Sequence, residues 1–344
     1  MKKFVSLILF LFTFGILSAQ TVSNVTVEQV DKTIHVSYNL DKQAEISLHL
    51  SIDGGKTYTE LHQLSGDVGK NVAEGHKTIV WDVLAERESL VGDDVLFWVK
   101  AEQNNIIEFT VKGVTFKMIY VEGGSFTMGC TSKFEGDCYN DEKPAHQVLL
   151  SDFYMGETEV TQALWCAAMG DNHSFYHKGD NFPVEGVSWN ECQSFCTALN
   201  DALSKELPGG YQFALPTEAQ WEYSAKGGNK SREYEYSGDN HIDSVAWYSS
   251  NSKSRTHLVK TKKANELGLY DMSGNVWEWC RDLYGNYSYS VQKNPTGPRS
   301  GTYVCVRGGY WGTSAGGCRL STRWHASPNE HNPIIGFRLA LVHE

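Results

Sequence analysis

The run Gly268-Leu269-Tyr270-Asp271-Met272-Ser273-Gly274-Asn275-Val276-Trp277-Glu278-Trp279 decides the fold. Glycines, tryptophans and acids sit at fixed offsets around a tight Ser-Gly-Asn turn. That is the pattern of a loop-rich domain shaped by backbone turns rather than by long helices. Asp271 and Glu278 flank the turn and can converge on one cation. Backbone carbonyls of Gly274 and Val276 would complete an all-oxygen shell of the kind Ca²⁺ prefers. The plainer alternative is that both acids accept backbone hydrogen bonds within the turn.

Working outward, Arg307-Gly308-Gly309 and Gly336-Phe337-Arg338 follow downstream. Phe126-Thr127-Met128-Gly129 and Leu215-Pro216-Thr217-Glu218-Ala219-Gln220-Trp221-Glu222-Tyr223 precede it. Three helix starts carry physical signatures. Thr161 is placed as a cap, with Val160 and Trp165 as a hydrophobic staple. Ser188 and Glu191 form a capping box, followed at helical spacing by Cys192, Phe195, Cys196 and Leu199. Thr217 and Gln220 form another, and Gly227-Gly228 reads as a helix C-cap. From Asn229 onward helix signals are few. Arg307, Arg319, Arg323 and Arg338 recur through this tail. A buried arginine needs a carboxylate, and Glu218, Glu222, Glu278 and Asp282 are the candidates.

These blocks, in this order, resemble the formylglycine-generating enzyme family, also called the sulfatase-modifying-factor family, over roughly residues 113 to 344. The resemblance implies an α+β, C-type-lectin-like fold. It also implies structural calcium at the positions of Asp271, Gly274, Val276 and Glu278, with Asp271 standing where the enzyme has an amide. Enzymes of the family oxidise a substrate cysteine to formylglycine, using two cysteines that hold Cu(I). Two soft thiolates suit that ion. The second of the pair falls on Cys318 and the first on Thr313, whose hydroxyl is a hard, neutral donor. Tyr310 stands where the family places a serine, while Trp277 matches the tryptophan beside the oxygen site. No cysteine lies between Cys305 and Cys318, so the pair is absent. Copper therefore enters only under the oxidase alternative.

The favoured function is binding. Tyr310, Trp311, Trp324 and His325 lie among small polar residues, as aromatic anchors do on recognition surfaces. Some relatives display a variable ligand-binding patch in this segment. The expected partner is a protein or glycan, or a cell-surface assembly in which the chain is a structural component. The competing reading puts these aromatics in the core.

The bulk numbers frame this. At ~150 residues per domain, 344 residues suggest two domains. The net charge of −11 gives no electrostatic case for nucleic acid or an anionic membrane. Lys2-Lys3, the apolar run Phe4 to Leu17 and the small residues Ser18-Ala19 read as a signal peptide over residues 1–19. Export to the periplasm or cell surface follows, with no integral membrane segment after cleavage. Residues 20–105 show short alternating strands and the turn Asp53-Gly54-Gly55-Lys56, which suggests an immunoglobulin-like β-sandwich. The formylglycine-generating-enzyme-like domain is set at 106–344. In an oxidising compartment the eight cysteines read as disulfides: Cys130 with Cys138, and Cys318 with Cys305 or Cys280.

Overall fold

Alternation along Thr33–Leu40 buries Ile34, Val36, Tyr38 and Leu40 and leaves the residues between them partly exposed. That period-two pattern builds the first of two compact units in the computed structural model, one ending at residue 104 and the other running from residue 105. The structure describes residues 22–41, 44–90, 94–102, 105–131, 138–176 and 179–343. The expected signal peptide lies outside them.

In the first unit, Thr33–Leu40 pairs antiparallel with Gly75–Asp82, with Val22–Val30 and Leu64–Gly66 on the two edges. A second antiparallel sheet centres on Ala44–Ser51, which pairs with Leu96–Glu102, Gly69–Val72 and Thr59–Glu60. Both sheets feed one apolar cluster that includes Val36, Ile79 and Trp81 from the first and Ile46, Leu48 and Val99 from the second. The Asp53 turn forms as its residues imply. Gly54 and Gly55 take φ of 73° and 87°, and the Asp53 carboxylate accepts from the amides of Lys56 and Thr57, both at 3.0 Å.

The second unit opens with a hairpin, Ile106–Val111 against Val114–Val121. Lys112 and Gly113 have φ of 45° and 86°, so both central residues are left-handed, as a two-residue primed turn requires. This hairpin joins Phe153–Gly156, Ala340–His343 and Tyr211–Ala214 in a five-stranded sheet. Gly124–Met128, His146–Leu150 and Gln292–Lys293 form a second sheet. Trp277–Leu283 sits inside a third, between Val304–Arg307 and Ile335–Gly336, with Arg323–Ala326 beyond.

Three helices of at least two turns accompany these sheets among the described residues. Gln162–Met169 is capped by Thr161 Oγ1, which accepts from Leu164 N, and Val160 and Trp165 are buried in one cluster. Trp189–Ala202 and Glu218–Ala225 carry the Ser188/Glu191 and Thr217/Gln220 capping boxes. Gly227, at φ 90°, turns the chain out of the third helix. Trp165 and Phe195 stack with ring centroids 5.3 Å apart, and Phe337 meets both edge-on, so the Gly-Phe-Arg block locks two helices together. A Cβ on Gly336 would lie 2.2 Å from Val184 O, so no larger residue fits there.

The Cys130–Cys138 disulfide is present. The expected bridge from Cys318 is not: Cys280, Cys305 and Cys318 are all free and buried. Cys280 and Cys305 lie in the cluster around Trp221, whereas Cys318 belongs to a separate one with Tyr236 and Tyr248. Cys192 and Cys196 are also free, on the buried face of their helix.

Candidate functional site

Four buried arginines hold the loop-rich half in shape. Arg338 forks onto Glu278, with Nε and Nη2 each 2.6 Å from a carboxylate oxygen, and also donates to Gly156 O and Tyr270 O. Trp221 Nε1 donates to the same carboxylate at 2.7 Å. Arg323 forks onto Glu218 at 2.6 and 2.8 Å. Arg307 pairs with Glu222 and lies 3.2 Å from Glu218. Burial opposes ionisation of Glu218, but Arg323 and Arg307 overcome it and hold the carboxyl below its ordinary range. Arg319 forks onto Glu142 at 2.8 and 2.6 Å. Of the carboxylates proposed from sequence, Asp282 serves otherwise: it accepts Glu218 N at 2.9 Å, at the start of a helix. Glu142 was not foreseen, because it lies in a polar stretch with no period or motif.

The Ser-Gly-Asn turn is held from several sides. Gly274, at φ 84°, passes so close to the Trp247 backbone that a Cβ would lie 2.3 Å from its carbonyl oxygen. Asn275 is the hub. Its N donates to Trp247 O at 2.8 Å, and its O accepts Trp311 N at 2.8 Å. Its side chain accepts His257 N at 2.9 Å and donates to Glu159 at 2.6 Å. Glu159 also accepts Val276 N at 3.1 Å. Asp271 accepts Lys260 N at 2.6 Å. Burial raises Asp271 to about 6, and burial with the charges of Asp271 and Glu278 pushes Glu159 well up. Three acids thus face Arg338. Glu278, placed from sequence as a cation ligand, is taken up by Arg338 and Trp221. Among the described residues only Cys130, Cys138 and Glu142 bring three ligand atoms within 4.8 Å of one another, and two of those are the disulfide.

Around the glycine pair, Cys318 is fully buried, and a Cβ on Gly309 would lie 2.7 Å from its sulfur. Burial pushes its thiol up to about 12, so it is neutral at ordinary pH. Thr313 Oγ1 accepts Tyr310 N at 3.0 Å and closes its own turn. Trp277 is buried in a different apolar cluster from Cys318.

The four aromatic residues divide. Tyr310 and Trp311 meet edge to face at 5.2 Å, and Tyr176 meets Trp311 at 6.1 Å. Trp324, 38% exposed, lies 6.0 Å from Trp277. His325 follows it on the same strand and so points to the opposite face. There it lies 4.4 Å from Tyr284 and 4.8 Å from Tyr303. His325 is therefore separated from Trp324 by the strand.

Residues 106–342 match the sulfatase-modifying factor enzyme 1-like domain. The chain belongs to this family. Similar members include the chaperone protein LppX of Paenibacillus barcinonensis, 34% identical over 66% of this chain and 89% of that protein. The formylglycine-generating enzyme of Streptomyces coelicolor is 28% identical over 64% of this chain and 88% of that enzyme. The serine/threonine-protein kinase pkn1 of Chlamydia pneumoniae is 28% identical over 75% of this chain, which spans 42% of that protein's length. The solved structure of Treponema denticola variable protein 1 superposes with a TM-score of 0.62 at 33% identity, over 68% of this chain and 98% of that one.

Within the sulfatase-modifying factor family frame, two further features escape the sequence. Glu159 directly precedes the Val160-Thr161 helix start, and nothing in its local sequence singles it out. Asn275 read as a turn residue, and its five hydrogen bonds need tertiary partners that no local pattern reveals.

Proposed function

We propose that this sulfatase-modifying-factor-family chain is an exported, non-catalytic binding protein. The ligand meets the second unit at Tyr310, Trp311 and Trp324, and the first unit is an immunoglobulin-like spacer. The observation that carries this is the state of Cys318: buried, unpaired and neutral, with Thr313 in the place of its partner. Cu(I) oxidation of a substrate cysteine needs thiolates at the metal. Family members bear names as different as chaperone and formylglycine-generating enzyme, which is consistent with a shared fold serving several roles. The test is a mass-spectrometric turnover assay with Cu(I), oxygen, reductant and a peptide containing Cys-x-Pro-x-Arg, run beside Thr313→Cys. No formylglycine is expected from the natural chain. Its appearance would establish the copper-oxidase alternative instead.

Calcium fits the turn on chemical grounds. Glu159, Asp271 and Glu278 are buried against Arg338, and a dication would relieve that excess of negative charge. Asp271 with the carbonyls of Gly274 and Val276 would hold the ion. Millimolar Ca²⁺ is expected to raise Tm, and Asp271→Gly, which removes the side-chain oxygens at a residue of φ 57°, to reduce that rise. A Tm indifferent to Ca²⁺ and to chelator would remove the ion.

A further inference from the structure

A chain of net charge −11 carries one strongly basic surface segment. Residues 253–263 hold Lys253, Arg255, Lys260, Lys262 and Lys263 and no acid. Three of the five have partners. Lys260 pairs with Glu157 at 2.6 Å and Lys263 with Asp239 at 2.9 Å. Lys262 lies 4.0 Å from the Trp247 ring centre and donates to Asp243 O. Lys253 and Arg255 are exposed, and among the described residues no carboxylate pairs with either.

These two cations stand on a rigid base. His257 stacks on Trp247 at 3.7 Å with 7° between the rings. Its Nε2 lies 2.7 Å from Ser252 O, and Ser252 Oγ donates to Trp311 O at 2.7 Å. Asn275 ties Trp247, His257 and Trp311 together, so the basic tip and the aromatic loop share one anchor. The charges of Arg255 and Lys253 also reach His257, where, after burial, they help to hold its pKa down.

We infer that the surface at the Lys253–Arg255 tip takes an acidic, uronate-bearing saccharide, with Lys253 and Arg255 meeting its carboxylates and the open parts of the half-buried Tyr310 and Trp311 rings beside the sugar. The inference rests on the binding role proposed above and names its ligand class. Rings offer a flat apolar surface to sugar C–H groups, and guanidinium and ammonium groups match carboxylates. An extended acidic peptide is less suited, because Trp311 N and O are both already bonded and offer no edge for strand pairing. The positive tip also disfavours a peptide carrying the arginine of a sulfatase motif.

The test is calorimetric titration of the full chain with hexagalacturonate, with cellohexaose and hexaglutamate as the neutral and peptide comparators. The variant is Lys253→Asn/Arg255→Gln. Lys253 has φ 55°, a conformation asparagine accepts well, so the variant keeps the fold. Hexagalacturonate is expected to bind, and the double variant or roughly 0.5 M NaCl to weaken it by at least about tenfold. Equal binding by the variant, tighter binding of hexaglutamate, or no binding of hexagalacturonate would overturn the inference. Cellohexaose binding as tightly as the uronate would also overturn it, while leaving a binding role intact. Formylglycine production in the turnover assay would remove the binding role itself.

Discussion

Arg338 is the residue on which the buried electrostatics turn. It faces Glu278 in a two-pronged pair, and its charge also acts on Glu159 and Asp271. Removing one partner of such a pair strands the other in a low-dielectric site. Arg338→Met is therefore expected to lower unfolding free energy by about 3–5 kcal/mol, measured by urea denaturation. Adding Glu278→Gln to that variant should recover much of the loss, because the stranded charge is gone. A double variant as unstable as the single would show that packing, not charge, dominates. Asp282 makes the opposite case. Burial and then the Glu218 charge raise its carboxyl to about 8, against an ordinary value of 3.8. The fold thus prefers it protonated. Its contribution is complete below the ordinary value and is lost as pH rises through about 8. Asp282→Asn keeps an acceptor for Glu218 N and removes the titration. Between pH 5 and 8 the variant should gain on the natural chain by up to about 1.4 kcal/mol per pH unit. Parallel stability–pH curves for the two proteins would refute the assignment.

Helix ends show how local rules operate within this loop-rich unit. In the Ser188 box, Ser188 Oγ accepts Glu191 N, and Glu191 returns the contact to Ser188 N at 2.7 Å. Ser188→Ala should cost about 1 kcal/mol, read as a lowered urea midpoint at unchanged slope. No change would mean that burial of Cys192, Phe195, Cys196 and Leu199 alone fixes the helix. All three capped helices were legible in the sequence, since a cap and the residues it serves lie within one turn of each other. The alternating strands of the first unit were legible for the same reason. The candidate site was legible only in part. Glu218, Glu222 and Glu278 emerged as arginine partners because each sits in a recognisable block. Glu142 and Glu159 did not, since they meet their partners only after distant segments pack. The Cys318 bridge failed on similar grounds: an even cysteine count says nothing of which sulfurs share a cluster, and Cys318 shares none with Cys280 or Cys305. Trp324 and His325 are adjacent in sequence, and on sequence alone they fall in one aromatic patch. In an extended strand that adjacency is what separates them.

At the scale of the whole chain, each unit has an apolar core of its own among the described residues. One apolar cluster draws only on residues from the first, including Trp81 and Val99, and the others only on residues of the second. The buried arginine pairs also lie wholly within the second unit. A unit that owns its core and its ion pairs has what independent folding requires. Residues 105–344 expressed alone are therefore expected to unfold cooperatively, with protected amides in Trp277–Leu283 and Val304–Arg307 under hydrogen exchange. These strands carry Glu278 and Arg307, so their amides report on the buried ion pairs that hold the second unit together. Protection matching that of the full chain would show that the second unit folds without the first, as a spacer role for the first requires. Loss of protection in those strands would show that the first unit is needed to complete the second, and the spacer role would have to be abandoned.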